Sequence, residues 1–319
     1  MKAFLKNLIF FLGILMALTI VGLLLPATPR ASTSHMFAKL KTDSLLSTVS
    51  SPRLILIGGS NLSLSINSQL LKDSLHINPI NTGLSWGIGF VYMFENTLRY
   101  VKSGDIIVAS LEYNQFFDRA MYGGHDLVRT IFDVAPSELF NLHASQHLNM
   151  MSHLPSYAFS KFKPGEYYFK RNPLEIYDRN SINQYGDNAK HWNLPSKELV
   201  TEPSLPEEYD SQAFDRLKRF ESAIRDKGAT LLITFPALEQ HVFEHEMKTI
   251  KLLESEFRQR RFLVMGYPER YVMPDTLMFD TPYHLIKRGV DMRTQLMIED
   301  ITLAIRTEMV QTDPRPSIE

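Results

Sequence analysis

The chain has 319 residues, 44% hydrophobic and 22% charged, with a formal net charge of −1. That balance leaves no electrostatic footprint for nucleic acid. It contains no cysteine, which excludes disulfides, thiolate zinc sites and cysteine nucleophiles.

The first predicted element is the uncharged, predominantly apolar run of 18 residues from Leu8 to Leu25, behind Lys2 and Lys6. Such a run is long enough to span a bilayer, whereas the apolar core of a signal peptide is normally about 7–15 residues. A signal peptide cleaved near Ala27 or Ala31 is the alternative to an uncleaved transmembrane anchor over residues 1–25. The lysines before the run predict a cytoplasmic N-terminus and an extracytoplasmic, periplasmic or extracellular domain. Residues 26–50 are rich in Ser, Thr and Pro and read as a stalk or linker. The domain proper is expected over 51–319.

Within it, Leu54–Ile57 is an apolar β-prone run without polar alternation, the pattern of a strand covered on both faces. A helical stripe of Ile66, Leu70 and Leu71 follows, then a second strand within 76–82. Gly87 to Val101 reads as a helix, and Ile106–Leu111 as a third buried strand. Residues 117–208 show no strand pattern and are too long for a plain loop, which predicts a mostly helical insertion. Phe214, Leu217, Phe220 and Ile224 form a helical stripe that Gly228 ends. Leu231–Phe235 and Phe262–Met265 are the fourth and fifth strands, separated by a helix reaching Gln259, and a last helix begins near Lys287. This alternation predicts an α/β domain with a parallel sheet and helices on both sides.

Chemically apt residues follow the strands. Gly58-Gly59-Ser60-Asn61 ends the first, Gly83 and Gly87 follow the second, and Asn114 follows the third. Asp280 and His284 follow the fifth. Carboxyl ends of parallel strands share one rim, where open α/β sheets bind ligands. Acyl transfer needs a hydroxyl nucleophile, a base, a carboxylate to orient that base, and donors for the oxyanion.

Here the chain resembles the SGNH (GDSL-like) hydrolase superfamily. Gly58-Gly59-Ser60-Asn61 is similar to its first block, Asn81 to Gly87 to its second, Tyr113-Asn114 to its third and Asp280 to His284 to its last. Gly59 stands where the family usually has aspartate, and the last block reads D-x-x-x-H rather than D-x-x-H. The resemblance implies a three-layer α/β/α fold with a flavodoxin-like parallel sheet. It implies a catalytic Ser60, His284 and Asp280, with the Ser60 amide, Gly83 or Gly87, and Asn114 as oxyanion donors and no cofactor. With the anchor, it is loosely similar to the DltD-like branch and the alginate-acetylation proteins. The function so implied is a serine esterase or O-acyltransferase acting on acyl groups of a cell-envelope glycan or polysaccharide. Its partners would be an acylated glycan or small acyl donor and a membrane-bound O-acyltransferase.

Two other readings are open. The departures from the block pattern fit a catalytically inactive binding or scaffold protein of an envelope polysaccharide assembly. His241-Val242-Phe243-Glu244-His245 matches H-x-x-E-H, the pattern of a zinc hydrolase in which two histidines share a metal. Tyr157, Phe159, Phe162, Tyr167, Tyr168, Phe169 and Trp192 in the insertion are the aromatic residues from which a sugar-binding cleft would be built.

Overall fold

A computed structural model of the chain describes residues 1–170, 172, 174–201 and 203–312. The end of the expected domain, 313–319, lies outside them. The centre of the fold is a parallel sheet of four strands, β1 (Arg53–Gly58), β2 (Asn78–Asn81), β3 (Ile106–Ser110) and β4 (Thr230–Thr234), in the order β2-β1-β3-β4. Leu54 pairs with Ile106 and Ile106 with Thr230, so the three longer strands run in step and end together.

Every residue of β1 is buried, as its unbroken apolar run requires. Leu54 and Leu56 share a core cluster with Ile66, Leu71, Met297 and Ile301. These belong to or precede helices α4 (Ser68–Leu75) and α11 (Lys287–Thr312). Ile55 and Ile57 point the other way, into a larger cluster with Phe90, Phe94, Phe214, Phe220 and Phe257. Those side chains come from α5 (Phe90–Leu98), α9 (Ser211–Asp226) and α10 (Gln240–Gln259). The stripes read from the sequence therefore face the sheet, and the last helix begins at the expected residue.

Three elements differ from expectation. The helix predicted from Gly87 starts only at Phe90, because Gly89 has φ +79° and a Cβ there would stand 2.2 Å from the Gly123 nitrogen. The fifth strand is reduced to one parallel bridge between Ile233 and Val264, between left-handed turns at Arg261 and Gly266. A separate two-stranded parallel pair, β5 (Leu238–Glu239) with β6 (Val272–Met273), stands beyond it.

The stretch 26–50 is no free stalk. It carries α2 (Ala38–Thr48), whose Leu46 is fully buried. Buried Arg53 donates to the Leu46 carbonyl at 2.6 Å and to both carboxylate oxygens of buried Asp105. The insertion contains the short helices α6 (His125–Arg129), α7 (Ala144–Met151) and α8 (Leu154–Ser160). Helix α1 (Lys2–Leu24) is long and apolar enough to cross a membrane, and only 6% of its apolar window is buried.

Candidate active site

Ser60 opens a four-residue helix, α3 (Ser60–Ser63), immediately after β1. This turn is fixed from beneath. Arg293 of α11, wholly buried, donates to the Asn61 carbonyl at 2.5 Å, to Asn61 Oδ1 at 3.2 Å and to Ser110 Oγ at 3.0 Å. Burial lowers its guanidinium to about 10.

Asp280 and His284 come from the loop after β6. In Asp280 to His284 the Phe279 amide donates to the His284 carbonyl at 2.8 Å, and Met278 bridges Leu285. This narrow loop absorbs the extra residue of D-x-x-x-H and sets Asp280 beside His284. His284 Nδ1 lies 2.8 Å from Asp280 Oδ1, and Tyr177 donates to Asp280 Oδ2 at 2.8 Å. Burial pushes the Asp280 carboxyl up, but these bonds and the adjacent imidazole outweigh it and hold the carboxyl below its usual range. Ser65 ties the loop to the serine turn, donating to the Tyr283 carbonyl at 3.0 Å and accepting from the Leu285 amide at 3.1 Å.

Ser60 and His284 line one cleft of about 190 Å³ together with His35, Ser85, Trp86, Glu112 and Tyr177. Ser60 Oγ donates at 3.3 Å to Glu112 Oε1, which also accepts from the Asn61 amide at 3.0 Å. A Cβ on Gly59 would stand 2.5 Å from that same oxygen. The space beside the residue where the family carries aspartate thus holds a carboxylate delivered from the end of β3. Burial pushes the Glu112 carboxyl up, against the opposing effect of its Asn61 and Ser60 bonds and of His284. On the far side of Trp86 a second cleft, of about 350 Å³, is lined by His125, Asp126, Asn149 and His153.

Gly83, Gly87 and Asn114 do not line the cleft that holds Ser60. The Gly83 amide donates to Asn81 Oδ1 at 3.0 Å, and a Cβ there would meet the Gly59 carbonyl at 2.7 Å, so this glycine serves packing. Gly87 lines the second cleft, and its amide donates to Ser85 Oγ at 3.2 Å. Asn114 lies in the turn Tyr113–Phe116, outside the lining of the serine cleft, with its Oδ1 buried and without a hydrogen-bond partner among the described residues.

The histidines of the H-x-x-E-H run have different neighbours. His241 Nε2 lies 3.8 Å from Asp275, whereas His245 Nε2 lies 3.2 Å from Ser204 Oγ. Glu239, His241 and Asp275 each offer a ligand atom within 4.8 Å of one another, and His245 is not in that group. Glu239 caps α10, accepting from the His241 and Val242 amides.

The insertion aromatics expected around a sugar cleft do not line the serine cleft. Tyr157 is buried on Asp133 and Trp192 packs in a separate core cluster. Among the described residues of the insertion, Tyr177 is the one that lines the cleft. Glu112, Tyr177, His35, Ser65 and Arg293 are the site residues that motif reading misses. Glu112 alone had a sequence signal, an acid two residues beyond a strand that ends beside the serine turn. Compared with known proteins, the chain matches no family model and no curated protein.

Proposed function

We propose that the exported domain is a serine esterase or O-acyltransferase of SGNH type, working through Ser60, His284 and Asp280. The observation that carries the reading is the convergence of Ser60 and His284 on one cleft, with His284 Nδ1 held by Asp280 at 2.8 Å. Strand order β2-β1-β3-β4, extended by Val264 beside Ile233, supports the finer reading of a flavodoxin-like three-layer fold.

In the proposed reaction Ser60 Oγ attacks an acyl carbonyl and its proton passes to His284 Nε2. Asp280 holds Nδ1–H and stabilises the imidazolium that results. The Ser60 backbone amide, expected from the sequence, and the Trp86 amide, which lies beside Gly59, serve as oxyanion donors in this reading. Collapse of the tetrahedral intermediate breaks the ester C–O bond, and His284 returns the proton to the departing alkoxide. Water or a glycan hydroxyl then attacks acyl-Ser60, giving up its proton to His284, and collapse of this second intermediate breaks the acyl–Ser60 C–O bond as His284 returns the proton to Ser60 Oγ. The cleft volume favours a small acyl group, and the Trp86 face beside the second cleft is a stacking surface for a sugar acceptor. Helix α1 anchors the domain, with the N-terminus in the cytoplasm, beside a membrane-bound O-acyltransferase.

One observation favours the inactive binding-protein reading: the Ser60 hydroxyl donates to Glu112. The two readings separate on turnover of para-nitrophenyl acetate by the full chain in detergent. The enzyme reading predicts hydrolysis that falls at least about 100-fold in Ser60→Ala and in His284→Asn. Equal rates in the wild type and Ser60→Ala would reject it.

A further inference from the structure

Helix α1 does not leave the domain on a free tether. A Cβ on Gly22 would stand 2.4 Å from the Ala158 carbonyl, so the last turn of α1 packs backbone to backbone on α8. The chain that follows is bonded to the segment after α8. Lys161 Nζ donates to the Pro26 carbonyl at 3.1 Å, Thr28 Oγ1 to Glu166 at 2.7 Å, and the Arg30 amide to the Glu166 carbonyl at 3.1 Å.

These contacts fix a height. The 23 residues of α1 rise about 35 Å at ~1.5 Å each, against a hydrocarbon core of about 30 Å. A helix of that length reaches the edge of the hydrocarbon near its final turn, where Gly22 meets Ala158. The segment 159–170 stands at the same level. Its sequence interleaves aromatic and basic residues, FSKFKPGEYYFK, and its apolar side chains face outward. Phe162 is 43% exposed and Tyr168 86%, with Tyr167, Phe169, Lys163 and Lys170 also exposed. Aromatic rings with a polar edge favour the boundary between headgroups and acyl chains, and lysines beside them favour anionic lipid.

We propose that residues 159–170 form an interfacial belt that seats in the headgroup layer of the bilayer α1 crosses, fixing the domain against the membrane surface. The assignment rests on α1 as a span but is independent of catalysis. Continuity with α1 selects lipid as the occupant, since α1 brings the bilayer to this face.

The absence of cysteine allows single-cysteine labelling of the full chain. Tyr168→Cys, Glu244→Cys on exposed α10 and Gly13→Cys in mid-span would each carry a bimane fluorophore. They would be reconstituted in vesicles of phosphatidylcholine and phosphatidylglycerol. The belt predicts at least threefold stronger quenching at position 168 than at 244 by headgroup nitroxide lipids, and quenching at 13 by nitroxides deep in the acyl chains. Quenching at 13 with equal quenching at 168 and 244 overturns the belt while leaving the span intact. Failure of quenching at 13 removes the span and the belt together. Shielding of 168 from aqueous iodide without lipid quenching assigns the face to a protein, which also overturns the proposal.

Discussion

Gly59 and Glu112 show how a missing motif residue can be read. From sequence alone the glycine is only a departure from the expected block. In the fold it is the space into which Glu112 projects, and a Cβ there would also stand 2.8 Å from the Trp86 nitrogen. Gly59→Ala is therefore expected to displace the serine turn and cut turnover at least tenfold, with the unfolding midpoint in urea reporting any global loss. The raised Glu112 carboxyl gives a sign for pH dependence. A carboxyl whose folded value lies above its unfolded value stabilises most below the unfolded value, near 4.5, and loses that contribution as pH rises through the folded value. Relative to wild type, Glu112→Gln should gain thermal stability as pH rises above 4.5. Thermal melts showing a pH-independent difference would refute this. Asp280, held low, has the opposite sign. It stabilises above its unfolded value and loses that contribution as pH falls through the depressed one. That Ser60 and His284 would meet, with Asp280 beside His284, was legible because each lies at a strand or loop end in an ordered motif. Tyr177 and Ser65 left no such signal, since their contacts span 103 and 218 residues, and Glu112, 52 residues from Ser60, left only its position just beyond a strand.

At the scale of elements, apolar patterning located what the sheet itself demands. β1, β3 and β4 are buried runs, and α9 and α10 end where Gly228 and Gln259 predicted. The failures came where local composition competes with tertiary packing. Serine and threonine between 26 and 50 suggested a stalk, yet Ser34 accepts from the Met36 amide at a helical turn, and α2 buries Leu46 against the core. Phe262 to Met265 has strand composition, but the turns flanking it leave room for one bridge. The tie between α2 and β1 is testable. Arg53→Ala leaves Asp105 buried without its guanidinium, and breaking such a pair costs about 3–5 kcal/mol. Urea unfolding should show that loss, and Arg53→Met combined with Asp105→Leu should recover much of it; a cost below about 1 kcal/mol would mean the pair contributes little.

At the scale of the molecule, the end of α1 packs on α8, so the proposed span and belt would hold the domain, with its cleft, against the bilayer. His35, which lines the cleft, follows Leu24, the last residue of α1, by 11 positions, a reach of at most about 40 Å. Gly22→Leu should loosen α1 from α8 and raise the rate of proteolysis between 25 and 35 in detergent, leaving the urea midpoint of the α/β domain nearly unchanged. The central claim is that Ser60 is a nucleophile served by His284. Its most direct test is peptide mass spectrometry of the full chain after exposure to a fluorophosphonate. One phosphonylated peptide carrying Ser60 is expected, with labelling lost in His284→Asn. An unmodified Ser60, or an adduct that forms equally fast without His284, would contradict it.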